Sequence, residues 1–492
     1  MSRPCPRLLL TALRGGAGKT TLTLGLLAAW RAEGRNVVPF KKGPDYIDPA
    51  WHAIAAGRPS HNLDPFLMEG EQIKALVARH AQVAEALLIE GNRGLFDGLD
   101  AQGTYSTAEL AKLLQVPVVL VVNCTMTTRT AAAMVLGCQH FDPQVNLAGV
   151  ILNQVARPRH EDILRKTIEH YCQIPVLGAV PRLKCAVFPE RHMGLVPPPE
   201  HRAAQQAVQA AKDLAERYLD LPGLWQAASQ APPLPAASQP LYPVVDLQNP
   251  VKIGIVRDAA FQFYYPENLE ALEQAGARLV YLSALNHTTL PPDLDALYLG
   301  GGFPETNAAA LAGNEDFRTS LRLAAEDGLP IYAECGGLMY LGRSIQTLEG
   351  RSYPMVGLLP HDFLMGQSPQ GHGYTVLEVE GPNPYFSSGT RLKGHEFHYS
   401  RMQPEPGPEA NLVFRLTRGA GICGHRDGFV YKNVLATYTH LHALGAPDWA
   451  PALVRQAREH QSRRQAAQSR EGVSHSDSAA VPPGRTRKGA TG

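Results

Sequence analysis

With 492 residues, 44% hydrophobic and 18% charged, the chain has the makeup of a globular protein of roughly two to four domains. Its 46 basic and 45 acidic side chains leave a formal net charge of +1, so nothing points to a nucleic-acid or membrane partner, either of which calls for a basic surplus. No apolar run approaches the roughly 18 residues that span a bilayer, and seven scattered cysteines without a CxxC pair argue against a disulfide framework or zinc site and for a reducing cytoplasm.

The opening MSRPCPRLLLTAL lacks a small-residue cleavage site and leads straight into glycines, so Leu8–Leu13 reads as a strand and not as a signal peptide. Apolar runs at Val37–Lys41, Leu87–Glu90, Val116–Asn123 and Leu147–Asn153 alternate with helical patterns such as Thr20–Arg31 and Thr107–Leu114. That alternation predicts an α/β domain over residues 1–220, with a parallel sheet covered by helices on both faces. A Pro, Ala, Ser and Gln-rich stretch, 221–250, reads as a linker. A second α/β unit, 251–452, opens with the strand VKIGIV and a helix over Asn268–Gln274. It continues with strands at Arg278–Leu282, Ala296–Leu299, Pro330–Ala333 and Gly428–Tyr438. Residues 453–492 hold almost no large apolar side chains and read as disordered.

Leu13-Arg14-Gly15-Gly16-Ala17-Gly18-Lys19-Thr20-Thr21 lies between a strand and a helix, where a phosphate loop has to sit. Gly15, Gly16 and Gly18 allow backbone N–H groups to turn inward around phosphate oxygens, and the helix start adds positive potential. Lys19 would reach the β- and γ-phosphates of ATP, the Thr20 hydroxyl would ligate Mg²⁺, and Thr21 completes the motif. Leu13 occupies the place of the usual first glycine, which marks a variant loop.

At the end of the second strand, Lys41, Asp45, Tyr46 and Asp48 fall in FKKGPDYIDP. Ligands bind at such strand ends, and two carboxylates beside a lysine suit a Mg²⁺–phosphate site, although the bare spacing also describes a solvated turn. Glu90, at the end of the third strand, reads as a second Mg²⁺ anchor beside Thr20 and Asp48. Asp97, between Gly94 and Gly98, is either a turn residue or a substrate contact.

In the second unit, LPIYAECGGLM places Cys335 on a strand–turn–helix elbow with glycines behind it, which exposes a nucleophile. A helix N-terminus is expected to favour its thiolate. Gly300–Gly302, after an earlier strand, and Gly336 offer backbone donors for an oxyanion, with Gly302 and Gly336 the chosen pair. His440, at the end of the last strand, is the expected base for Cys335, with His442 as fallback. The HEFH segment (His395, Glu396, His398) is one residue short of a zinc-protease spacing and reads as a substrate loop or structural element.

Together GPDYIDP, EGNRGLFDG, ERHMGLVP, DAAFQFYYPENLE, YLGGGFPE, AECGGLMYL and GHEFHYS resemble the cobyrinic acid a,c-diamide synthase family over about residues 5 to 450. The resemblance implies a dethiobiotin-synthetase-like P-loop domain followed by a class I glutamine amidotransferase-like domain. It implies amidation of the a- and c-acetates of cobyrinate, or of cobalt-free hydrogenobyrinate, with ATP, Mg²⁺ and L-glutamine. The family's nucleophile and histidine fall on Cys335 and His440, and its ATP and tetrapyrrole contacts on Lys19, Asp45, Asp48, Glu90 and Asp97. Where class I glutaminases carry Glu two residues after the histidine, this chain has His442, so the third member of the triad is absent. Arg14 stands where the family more often has a small residue, and a phosphate contact there is open. Assembly as a homodimer is left open. The alternatives are a nickel-sirohydrochlorin a,c-diamide synthase, a cobyric acid synthase, against which GPDYIDP and ERHMGLVP argue, a partition-type regulatory ATPase, and a ligand-binding module with a dead glutaminase.

Overall fold

The computed structural model describes residues 5–183, 190–191, 194–195, 203–234, 241–242, 249–405, 407 and 411–477. Half of the ERHMGLVP stretch, residues 192–193 and 196–197, lies outside the described residues. In the first half, β1 (Arg7–Ala12), α1 (Lys19–Ala32), β2 (Val37–Lys42), α2 (Ile47–Ala56), β3 (His61–Leu63), α3 (Gly70–Ala81) and β4 (Ala86–Glu90) follow one another. They continue as α4 (Thr107–Leu114), β5 (Val118–Asn123), α5 (Arg129–Phe141), β6 (Leu147–Val155), α6 (Pro158–Cys172) and β7 (Val176–Pro181). A two-residue pair, β8 (Glu190–Arg191) and β9 (Gly194–Leu195), precedes α7 (Ala204–Tyr218) and α8 (Leu221–Ser229).

The seven strands form one parallel sheet in the order β3-β2-β4-β1-β5-β6-β7. Alternate side chains of β1 serve opposite cores: Leu8 and Leu10 pack with α1 and α7, while Leu9 packs with Leu63, Leu76 and Leu110. Burial on both faces explains why the strands read as continuous apolar runs. Each fully buried leucine contributes about 1.5–3 kcal/mol.

The second half contains β10 (Val251–Val256), β11 (Phe261–Phe263), α9 (Pro266–Gln274), β12 (Ala277–Leu282), β13 (Ala296–Leu299), β14 (Gly301–Gly302), α10 (Ala308–Gly313) and α11 (Glu315–Glu326). It continues through β15 (Ile331–Glu334), α12 (Gly336–Leu341), β16 (Ser344–Gln346), β17 (Ser352–Pro354), β18 (Asp362–Met365), β19 (Gly371–Val379), β20 (Arg391–His398) and β21 (Ser400–Gln403). The last elements are β22 (Leu412–Arg418), β23 (Arg426–Tyr431), β24 (Val434–Thr437), β25 (His440–Leu441) and α13 (Trp449–Asp477). Its main sheet runs β12-β10-β13-β15-β24-β23-β22-β19-β20-β25, parallel as far as β24 and antiparallel beyond.

One apolar cluster crosses the domain boundary, joining Leu63, Leu67 and Leu76 to Leu441, Leu444 and Trp449. Phe66 stacks on Tyr374 at 4.2 Å between ring centroids, and Tyr374 Oη donates to Asp64 at 2.9 Å. Among the described residues no helix is long and apolar enough to cross a membrane.

Three sequence expectations give way. The stretch read as a linker begins with helix α8, capped by Asp220, whose carboxylate accepts the Gly223 N–H at 2.9 Å, and anchored by buried Leu224, Ala227 and Ala228. Trp225 sits edge-on to Trp30 at 5.3 Å. Residues 453–477, read as disordered, belong to α13, because its first turns bury Leu453, Val454 and Ala457, and Gln461 and Arg464 both reach the buried Asp295 at 2.9 Å. Residues 478–492 lie outside the described residues. Gly428–Tyr438 is not one strand but an antiparallel hairpin of β23 and β24, reversed at Lys432, whose φ is +50°.

Helices α1 and α7 approach so closely that a Cβ on Gly25 would lie 2.3 Å from the Ala211 carbonyl oxygen. Gly25→Leu should therefore cost about 1–3 kcal/mol in urea denaturation. Gly137→Ala in α5, where a Cβ meets nothing within 4 Å, should instead stabilise by about 0.5–1 kcal/mol.

Candidate active site

The phosphate-loop segment links β1 to α1 as the sequence suggests. Gly16 and Gly18 take φ of +69° and +89°, which a side chain would strain. A Cβ on Gly18 would also lie 2.5 Å from Asn153 Nδ2, which donates to the Ala17 carbonyl at 2.9 Å and pins the loop to the end of β6. Gly15 has open space around it, and Thr21 is half-buried in the first turn of α1. Lys19 Nζ donates to the carbonyls of Arg93 at 2.8 Å and Arg14 at 3.3 Å, so the amine is held over the loop. Burial lowers its pKa, against the pull of Glu90.

Beside it, β2, β4 and the first turns of α1 and α2 bring four predicted residues together. Lys41 Nζ lies 2.5 Å from Asp48 Oδ2 and 2.7 Å from Glu90 Oε1, and Thr20 Oγ1 donates to the same Glu90 oxygen at 2.8 Å. Glu90 Oε2 meets His52 Nε2 at 2.7 Å. Burial pushes the Glu90 carboxyl up, but Lys41 and His52 outweigh it and hold the group below the usual carboxylate range. Burial likewise opposes charge on Lys41, and Asp48 and Glu90 hold it above the ordinary lysine value. Among the described residues no group of three or more His, Cys, Asp or Glu is arranged for a metal ion. Asp48, Glu90 and the Thr20 hydroxyl are nevertheless oxygen donors of the kind a hard divalent cation takes, with phosphate and water to complete the shell.

Asp45 accepts the N–H groups of Ile47 at 2.8 Å and Asp48 at 3.1 Å, fixing the start of α2. Burial, with the Asp48 charge beside it, pushes its carboxyl up to about 6. Asp97 closes a turn by accepting the Gly94 N–H at 2.9 Å, and it also lines the cavity described below.

In the second domain Cys335 sits on the elbow between β15 and α12 at φ +48° and ψ −99°, a conformation a β-carbon strains to adopt. The thiol is not poised as a thiolate: burial, then the Glu305 charge, push its pKa well above the ordinary value, outweighing the Gly336 N–H. Among the described residues Sγ also donates to the Phe397 carbonyl at 3.9 Å and makes no hydrogen bond with His440. His440, buried on β25, stacks on His395 at 4.9 Å with 21° between rings, and its Nδ1 faces Glu334 Oε2 at 3.4 Å. His442 is turned away into a separate contact, 3.4 Å from Glu267, so it is no substitute base. The Gly300 N–H is spent on Tyr264 Oη at 2.8 Å, whereas Gly302 and Gly336 abut: a Cβ on Gly336 would lie 3.0 Å from Gly302 N.

Asp45 and Asp97 on one side and His440 on the other line one cavity of about 450 Å³ between the domains. The first domain lines it with Lys42, Asp45, Tyr46, Arg93 and Asp97, and the second with Tyr374, His395, Phe397, Arg418 and His440. Tyr46 reaches across it, its ring 5.0 Å from Phe263 at 7° and 5.3 Å from His440. Lys42, Arg93, Arg418, Asn153 and Glu334 stand at these places although sequence reasoning gave them no role, and His395 was read as part of a substrate loop or structural element. Arg93 lay inside a quoted motif and His395 in HEFH, but nothing local marks Arg418.

Comparison with known proteins agrees with this division. The model of the CobQ/CobB/MinD/ParA nucleotide binding domain matches residues 8–196, and that of the CobB/CobQ-like glutamine amidotransferase domain matches 252–447. The second match leaves a regulatory ATPase without an account of half the chain. Over 459 residues the chain is 44% identical to a cobyrinate a,c-diamide synthase of Magnetococcus marinus, covering 92% of this chain and 97% of that protein. Proteins of the same name from Dehalococcoides mccartyi and Archaeoglobus fulgidus are each 40% identical, covering 92% of this chain and 98% and 97% of theirs.

Replacing Lys41 with methionine strands two carboxylates without their buried counter-charge. The expected cost is about 3–5 kcal/mol in urea denaturation at neutral pH, far above that of an exposed lysine such as Lys166.

Proposed function

The chain belongs to the cobyrinate a,c-diamide synthase family, ATP-dependent glutamine-hydrolysing ligases of cobalamin biosynthesis, and from that premise we propose how its residues divide the work. The substrate is cobyrinate, or cobalt-free hydrogenobyrinate, whose a- and c-acetate carboxylates become amides. The observation that carries this reading is the shared cavity: Lys42, Arg93 and Arg418 line it with cationic groups suited to a ligand bearing several carboxylates, and it reaches both Asp45 and His440. The protein works in the cytoplasm.

A carboxylate is a poor electrophile, so the γ-phosphoryl of ATP is transferred to a substrate carboxylate oxygen, giving an acyl phosphate and ADP. Lys19 and the loop N–H groups of Gly15, Gly16 and Gly18 offset charge on the transferring phosphoryl. Thr20, Asp48 and Glu90 would hold a magnesium ion, which supplies further charge neutralisation there. Asp45 and Asp97, at the cavity wall, contact the reacting end of the substrate.

In the other domain Cys335 Sγ attacks the side-chain amide carbon of glutamine. Gly302 and Gly336 donate to the oxyanion, and His440 takes the thiol proton and delivers it to the leaving nitrogen. Ammonia departs and water hydrolyses the thioester to glutamate. Ammonia then adds to the acyl phosphate carbon and phosphate leaves. Passage along the cavity that His440 and Asp45 both line would bring the amine to the activated carboxyl ahead of bulk water.

Mass spectrometry after incubation with ATP, Mg²⁺, glutamine and, in turn, cobyrinate, hydrogenobyrinate and nickel-sirohydrochlorin should show two amides gained on one of the first two. Absence of any gain, even with ammonium salt as nitrogen donor, would overturn the reading. Cys335→Ala should abolish glutamine-supported synthesis and keep ammonium-supported synthesis within about twofold of wild type.

A further inference from the structure

Glu334 directly precedes the nucleophile, at the end of β15, and is fully buried. Its Oε1 accepts the Leu441 N–H at 3.1 Å, one residue beyond His440, and its Oε2 accepts from Tyr298 Oη at 3.0 Å. The same Oε2 lies 3.4 Å from His440 Nδ1. Among the described residues no lysine or arginine pairs with Glu334, and His440 is the one basic group within ion-pair distance. A buried carboxylate of this kind is costly without a counter-charge. The counter-charge appears when His440 becomes imidazolium.

The other face of the imidazole points toward the glycine turn. His440 Nε2 lies 3.3 Å from the position of a Cβ on Gly301, and the adjoining Gly302 abuts Gly336, the residue after Cys335. Parallel packing against His395 leaves the ring little freedom to rotate. A base with one nitrogen on a carboxylate and the other beside the glycine turn that abuts the nucleophile's elbow resembles the arrangement that fixes tautomer and orientation in nucleophilic catalysis.

We propose that Glu334 is the positioning carboxylate of the glutaminase centre, holding His440 with its proton on Nδ1 and its free lone pair on Nε2. This rests on the glutaminase reading given above. The Cys335 thiol proton moves to Nε2, leaving an imidazolium paired with Glu334 and a thiolate that bonds to the amide carbon. The Nε2 proton then passes to the departing nitrogen, ammonia leaves, and His440 returns to its neutral form. The acidic partner that the position of His442 does not supply thus comes from the other side of the nucleophile.

The test compares Glu334→Gln and Glu334→Asp with wild type. The glutamine variant keeps the side-chain volume and an acceptor for Leu441 but carries no charge. Its glutaminase kcat should fall about a hundredfold or more, with KM for glutamine within about threefold. Glu334→Asp should recover at least part of kcat, and ammonium-supported synthesis should be unchanged in both. A glutamine variant within twofold of wild type, no recovery in Glu334→Asp, or an equal loss of ammonium-supported synthesis would overturn the proposal. Cys335→Ala, run alongside, separates the two levels: retained glutaminase there sinks the underlying reading, while its loss with an active Glu334→Gln sinks only the role of Glu334.

Discussion

Tyr46 belongs to one domain and packs inside the other, and the geometry of both centres follows from that placement. Its ring lies parallel to Phe263 and beside His440, while its neighbours Asp45 and Asp48 fix the start of α2 and reach Lys41 near the phosphate loop. Two residues of chain span at most about 7 Å. Tyr46 and the carboxylates of Asp45 and Asp48 are therefore held within a few side-chain lengths of one another, with His440 packed on the Tyr46 ring.

Buried charge reinforces the same alignment. His61 on β3 meets Glu267 of α9 at 2.7 Å across the boundary, and His442 approaches the same carboxylate at 3.4 Å. Burial pushes the Glu267 carboxyl up, but His61 and His442 outweigh it and keep it below the usual range. Ion pairs of this kind add little net stability, since desolvation offsets most of the attraction, but they penalise any docking that separates the partners. Register between the domains is set here, and in the Lys41–Asp48–Glu90 group the same logic sets register between strand ends.

Much of this was legible from sequence where the determinants are local. A glycine run between an apolar strand and a helix marks Lys19 and Thr20, and a strand–Cys–Gly-Gly–helix pattern marks Cys335, because each conformation is encoded within ten residues. Glu334, Tyr46 and Arg418 were not legible in their present relations, since those depend on which strand ends the two sheets bring face to face. The thiol state was misjudged for a related reason: the helix start at Cys335 is local, whereas the burial that overrides it is tertiary. Helix α13 was misread because anchoring a long polar helix takes only a few contacts at its beginning. Trp449, packed at 5.2 Å and 5.4 Å on Tyr298 and Tyr332, supplies the first of them.

The apolar cluster that runs from Leu63 and Leu76 into Leu441 and Trp449 bears on how such a protein can be inherited. Separating the halves into two genes would give each product a greasy face that only the other can cover. Such products would have to be made side by side and in equal amounts to escape aggregation. Fusion into one polypeptide removes that demand on dosage, which is a reason for the synthetase and the ammonia source to travel together.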